Sequence, residues 1–404
     1  MAQLNGTWKP EFMAVYRAFE ENFASRSEVG ASLHVTVGGE TVVDLWGGTV
    51  ADPARHPDAA PWQEDTLVTV FSSTKGATAI AGHVLVSRGE LDLDAPIGEV
   101  WPGFARNGKE SATVRMLFDH SVGVPTWRDK VPVGAVTDWD EMVRRLEEEP
   151  PFWEPGTRNG YHMLSFGWLV GELVRRTSGR SLGRFFADEV AGPTGAGRDC
   201  YIGLPESEHG RVSKVIPFVP DRDSPSAFTA AIRADRDSIS AKALLNQGGF
   251  NPNDPACWSA EIGGAGGVAN GRGLARIYAP LANGGADLVD ADTLARMGEV
   301  AVATELDATL LLPTRFALGF MKSMDNRRRR RGDRDSVILG SAAFGHVGAG
   351  GSIGFADPDC QMSFGYAMNR MGEGILLNDR GQALVDAVYR CLGYRGNASG
   401  VWSR

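Results

Sequence analysis

Apolar positions recur at helical spacing close to the N-terminus. Phe12, Tyr16, Phe19 and Phe23 stand three or four residues apart with Glu20 and Glu21 between them, which predicts an amphipathic helix over 10–24. The period then changes to two. Leu33, Val35 and Val37 alternate with His34 and Thr36, Gly38-Gly39 supplies a tight turn, and Thr41 to Trp46 returns, so a β-hairpin is expected. Residues 49–65 read as a loop. Thr66 to Phe71 reads as a short strand leading into a helix over Ala77 to Ser87, which Gly89 stops. Further helices are expected from Val114 to Phe118, over 139–148, from Leu164 to Arg176 and from Gly273 to Leu281, the last entered through the glycine-rich bend 263–267. Residues 215–230 contain prolines and read as irregular. Short strands return at Phe316–Phe320, Val337–Leu339, Gly351–Phe355 and Met362–Met368, before a closing helix from Gly381 to Leu392.

Strands at both ends with helices between them imply an α+β fold, in which one antiparallel sheet is built from both termini and flanked by helices. The expected division is a discontinuous sheet domain, 1–66 with 306–404, and a mainly helical domain, 67–305, with the active site between them. Two units are also what 404 residues suggest, since single cores stop growing below that length.

Composition narrows the function classes. A net charge of −9 argues against a general nucleic-acid binder. No apolar run approaches the roughly 20 residues of a membrane span, and Met1 to Pro10 lacks a charged segment followed by an apolar one, so a cytoplasmic protein without membrane association is expected. Cys200, Cys257, Cys360 and Cys391 are scattered without a CxxC pair, which favours free thiols and no metal site.

One stretch carries chemistry. Ser72-Ser73-Thr74-Lys75 is the only Ser-x-x-Lys in the chain, and it sits at the head of the helix expected to follow. Residues i and i+3 share a helix face, so Lys75 can stand beside Ser72. The macrodipole favours negative charge at that end. A serine hydroxyl becomes a nucleophile when a neighbour takes its proton. The plainer alternative is a helix-capping serine with a solvated lysine.

Two further stretches decide between these: Trp153-Glu154-Pro155-Gly156-Thr157-Arg158-Asn159-Gly160-Tyr161, and Phe344-Gly345-His346-Val347-Gly348-Ala349-Gly350-Gly351. With Ser72-x-x-Lys75 ahead of them, in this order over nearly the whole chain, the sequence resembles the β-lactamase-like serine hydrolase superfamily. Within it the sequence is most similar to family VIII carboxylesterases and their class C β-lactamase relatives. The resemblance implies Ser72 as the acylated nucleophile and Lys75 as part of its activation. It implies Tyr161 as general base and then acid to the leaving group. The backbone N–H groups of Ser72 and Ala349 would form the oxyanion hole. His346-Val347-Gly348 falls at the substrate-binding position where relatives carry Lys-Thr-Gly. Two departures stand out. The Tyr-x-Asn of β-lactamases reads Tyr161-His162-Met163, and the cationic lysine is replaced by His346, mostly neutral near pH 7. Both remove a grip on carboxylated lactams and favour an uncharged ester.

The function expected is hydrolysis of short-chain carboxylic esters through an acyl-enzyme, with no metal or organic cofactor, a small-molecule ester as partner and homo-oligomerisation left open. Rivals are β-lactam or amide hydrolysis, acyl transfer, or an inactive scaffold. Gly350-Gly351-Ser352-Ile353-Gly354 matches the G-x-S-x-G elbow, but Phe355-Ala356-Asp357-Pro358 follows where a helix is required, so Ser352 is expected to be a strand residue without a nucleophilic role. His120 and His162 read as structural. The arginine run 327–331 reads as a solvated loop rather than a polyanion site.

Overall fold

A computed structural model describes residues 2–218 and 225–404. The hairpin forms as its alternation requires, from β2 (Gly30–Val37) and β3 (Glu40–Gly48). Gly38 and Gly39 both take positive φ, 58° and 81°, the geometry whose twist matches the flanking strands. Leu4–Trp8, here β1, adds to the outer edge of β3 with Leu4 opposite Gly47. Sequence reading missed this strand, because Asn5-Gly6 is a turn signal and the segment lacks alternation.

The C-terminal strands are β4 (Phe344–Val347), β5 (Ile353–Asp357) and β6 (Met362–Met368). The sheet order is β1-β3-β2-β6-β5-β4, antiparallel throughout, so β2 and β6 meet in the middle with Val35 opposite Phe364. The two ends of the chain therefore close one sheet, and the fold is α+β.

Both faces are covered. On one, α1 (Met13–Ser25) and α5 (Asp379–Cys391) pack together, and Phe19, Leu384 and Val388 meet Leu33, Val35 and Phe364. On the other, α4 (Gly271–Ala282) lies across β2, β5 and β6. Its approach is close enough that a Cβ on Gly365 would stand 2.1 Å from the Gly271 carbonyl oxygen, so only glycine fits there. A second core surrounds α2 (Ser73–Ser87) and α3 (Ser165–Ser178), with Ile80, Val84, Phe118, Phe166 and Val170 fully buried. No helix among the described residues is long and apolar enough to cross a membrane.

Other expectations need correction. The strand placed at Phe316–Phe320 is Thr314–Phe316, paired with Val302–Thr304 in a separate ribbon and ended by the turn at Gly319 (φ 85°). Val337 makes only an isolated bridge to Met324. In the stretch expected to be irregular, residues 219–224 lie outside the described residues, and Ala227–Ala234 is helical, capped by the Ser226 hydroxyl accepting from the Thr229 N–H.

Candidate active site

The chain enters α2 through a strained corner. Val68–Thr69 pairs with Val268–Ala269, and Phe71 then takes φ 45°, an uncommon conformation for a bulky residue. Ser72 follows with helical angles, and its side chain makes no cap hydrogen bond. Its hydroxyl is free to meet Lys75, whose Nζ lies at hydrogen-bond distance from Ser72 Oγ, 3.1 Å. The alternative of a capping serine with a solvated lysine is excluded, since Lys75 is wholly buried.

Two carbonyls hold the amine: Lys75 Nζ also donates to the Met163 oxygen at 2.6 Å and the Gly264 oxygen at 2.7 Å. Burial drives the Lys75 pKa well below its ordinary value, favouring the neutral amine. With two hydrogens committed to carbonyls, a neutral amine turns its lone pair toward the Ser72 hydroxyl and can accept its proton.

Tyr161 arrives from far along the chain. Its backbone N–H donates to both carboxylate oxygens of buried Asp307, at 3.0 and 3.1 Å, and the same carboxylate collects the N–H groups of Thr309 and Leu310 and the Thr314 hydroxyl. The ring stacks on Phe316 with centroids 5.8 Å apart, and Lys75 Nζ lies 4.7 Å from its centroid. Burial raises the phenol pKa, the neighbouring Ser72 hydroxyl lowers it, and the Asp307 charge raises it, so the phenol stays protonated. Although Ser72 is near enough to bias its ionisation, the Tyr161 hydroxyl has no hydrogen bond of normal geometry. A buried polar atom left open in this way is a common mark of a functional site.

The end of β4 lies against the start of α2, where Ser73 Oγ donates to the His346 oxygen at 3.3 Å. His346 and Val347 are buried, and His346 Nδ1 bonds the Val347 oxygen at 2.7 Å while Nε2 has no partner among the described residues. Burial pushes His346 down to about 3, so it is neutral at pH 7. In the turn beyond it, 348–352, the Ala349 N–H has no hydrogen-bond partner among the described residues, and neither has the Ser72 N–H.

His120 and His162 brace the tyrosine loop. The His162 N–H donates to His120 Nδ1 at 3.2 Å, His162 Nε2 accepts from the Val124 N–H at 3.1 Å, and the His120 ring packs 5.0 Å from Tyr161. Ser352 is buried just before β5, its hydroxyl donating to the Val70 oxygen at 2.8 Å, and a strand follows rather than a helix. The arginine run forms an exposed turn in which Arg327 is held by Asp325 and Asn397 and Arg330 by Asp333. Arg327 and Arg331 border a cleft of about 1070 Å³ that does not include Ser72; Met371, Gly372 and Asn378 also line it.

Lys75 thus links Ser72 and Tyr161, with Nζ 3.1 Å from Ser72 Oγ and 4.7 Å from the Tyr161 ring centroid, and the Tyr161 and His346 rings lie 6.0 Å apart. Sequence reading missed Asp307 and the Met163 and Gly264 carbonyls. The Asp307-Ala308-Thr309 spacing is a turn signal, but nothing local tells which distant N–H groups it serves.

Fold and site together define the chain as a serine hydrolase. The family model described as Beta-lactamase matches residues 15–387, and the chain belongs to that family. The esterase/beta-lactamase LipL of Mycobacterium tuberculosis is 33% identical over 390 residues, covering 93% of this chain and 85% of the relative. A crystal structure of a family VIII carboxylesterase superposes with a TM-score of 0.82 at 38% identity, covering 96% of this chain and 100% of the other. A penicillin-binding protein homologue from Caulobacter crescentus also superposes with a TM-score of 0.82, at 30% identity, over 96% of this chain and 100% of its own. Esterases stand among these relatives, so ester hydrolysis is an activity the family carries.

Proposed function

We propose that the chain hydrolyses short-chain, uncharged carboxylic esters through an acyl-enzyme on Ser72. Lys75 takes the Ser72 proton as Oγ attacks the ester carbonyl carbon. The oxyanion of the tetrahedral intermediate accepts from the Ser72 and Ala349 N–H groups, each such donor lowering the barrier by about 3 kcal/mol. Collapse breaks the ester C–O bond. The alkoxide leaving group receives a proton from Tyr161, which regains one from Lys75. Water then attacks the acyl carbon with the same groups acting in reverse.

The observation that carries this reading is the Lys75 amine, buried, bonded to two carbonyls and 3.1 Å from Ser72 Oγ. Neutral His346 and Met163 at the positions of a cation and an amide in β-lactamase relatives support esters over carboxylated lactams. The test is covalent labelling with a fluorophosphonate probe, the adduct mapped by mass spectrometry, alongside turnover of p-nitrophenyl acetate and butyrate against nitrocefin. An adduct on Ser72 with ester turnover lost in Ser72→Ala is expected. No adduct would leave an inactive scaffold, and preferential nitrocefin cleavage would make the chain a lactamase.

A further inference from the structure

We infer that Asn378 is a positioning residue for the oxyanion hole, acting on the Ala349 N–H through two peptide planes. The inference rests on the reading of Ser72 as nucleophile and Ala349 as oxyanion donor.

The Asn378 side chain does two things at once. Its Oδ1 caps α5, accepting the N–H groups of Arg380 at 3.1 Å and Gly381 at 3.2 Å. Its Nδ2 reaches back to the turn between β4 and β5 and donates to the Gly350 oxygen at 2.6 Å. The Gly372 N–H donates to that same oxygen at 2.9 Å, so the Gly350 carbonyl is held from two directions.

What this does to Ala349 follows from peptide planarity. In a trans peptide the C=O and the N–H point in opposite directions. Fixing the Gly350 oxygen therefore aims the N–H of the same peptide, that of Gly351, the other way, and it donates to the Gly348 oxygen at 3.0 Å. Fixing the Gly348 oxygen in turn aims the N–H of its own peptide unit, that of Ala349, away from the turn. This is the N–H that has no partner among the described residues. The chain of hydrogen bonds Asn378–Gly350/Gly351–Gly348/Ala349 also polarises in one direction, which strengthens the last donor.

The turn is built for this contact. Gly350 and Gly351 have φ of 86° and 116°, and a Cβ on Gly351 would stand 2.2 Å from Asn378 Nδ2. Any side chain there would displace the amide from the carbonyl it holds. The opposite side of the turn is pinned by the Gly348 N–H donating to the Ser352 oxygen at 2.7 Å. Asn378 is thus a side chain at the N-terminal end of α5 that sets the aim of a donor at the far end of the β4–β5 turn.

The test separates the two jobs of the side chain. Asn378→Asp keeps the capping oxygen but loses the Nδ2 donor, and Asn378→Ser keeps a good cap but is too short to reach Gly350. For both variants kcat for p-nitrophenyl butyrate and the rate of fluorophosphonate labelling are expected to fall by about 10- to 100-fold, less than deletion of an oxyanion donor outright. KM should change by less than about twofold, and the thermal midpoint should fall by no more than about 4 °C, because the cap survives and the Gly350 oxygen keeps the Gly372 N–H. Wild-type rates in both variants would overturn the inference while leaving the esterase reading intact. So would a midpoint that falls in step with activity, which marks a merely structural role. Absence of Ser72 labelling in the wild-type chain would remove the esterase reading and this inference with it.

Discussion

Replacing Lys75 by methionine keeps an unbranched side chain of similar length in the same buried slot and removes only the amine. Its effects on rate and on stability should diverge. Among the described residues the amine is the one basic group in hydrogen-bond contact with Ser72 Oγ, and a positioned base contributes about 10²- to 10⁴-fold to such reactions. Turnover of p-nitrophenyl butyrate should therefore fall by about a thousandfold in kcat/KM. Stability has two opposed terms. The Met163 and Gly264 carbonyls each lose a donor, costing about 1–3 kcal/mol apiece. The desolvation of a buried amine, which lowers the Lys75 pKa, disappears with it. The net change should be small beside the loss of rate. A pH signature gives a second reading. Between the lowered folded value and the ordinary value of 10.5, the folded chain binds fewer protons at Lys75 than the unfolded chain, so wild-type stability gains a rising component with pH in that window. Lys75→Met should lack that component. The measurements are steady-state kinetics and urea unfolding from neutral to alkaline pH on both proteins. A variant that keeps kcat/KM within tenfold of wild type would refute the assignment of Lys75 as base.

Tyr161→Phe deletes a buried hydroxyl that makes no hydrogen bond, so turnover should drop by about 10²-fold or more while the thermal midpoint stays level or rises; calorimetry beside kinetics checks the pair. Asp307→Ala strips the acceptor from the Tyr161, Thr309 and Leu310 N–H groups, and should cost about 3 kcal/mol or more in urea unfolding and lower kcat through a loosened Tyr161. Acid should destabilise the fold through its buried histidines. His346 and His162 are pushed down to about 3 and His83 to about 4, chiefly by burial. Between those values and the ordinary 6.5 the unfolded chain binds more protons than the folded one, so stability is full above 6.5 and is lost as pH falls. At pH 4.5 each of the three should account for about 2.5 kcal/mol of loss relative to pH 7.5, read by unfolding at the two pH values, and an unchanged stability would contradict the neutral, buried state of these rings.

The residues alone determined whatever depends on near neighbours. The alternation of Leu33, Val35 and Val37 and the Gly38-Gly39 turn fix the hairpin, because twist and side-chain direction are local. Ser72 and Lys75 are already on one helix face by their spacing. Segments such as Met362–Met368 and Trp139–Glu148 formed where their patterns placed them. The order of three motifs was enough to signal the family. Only the folded chain decided the electrostatic state of these groups and their distant partners. Burial lowers the Lys75 pKa and favours the neutral amine, and two of its acceptors are backbone oxygens at Met163 and Gly264, which any sequence would offer. Tyr161 is placed by Asp307, a residue 146 positions away. A strand such as Leu4–Trp8 has no pattern of its own and exists because β3 presents an unpaired edge. Hydrogen bonding to main chain and removal from water are properties of position in space, so side-chain identity carries little record of them.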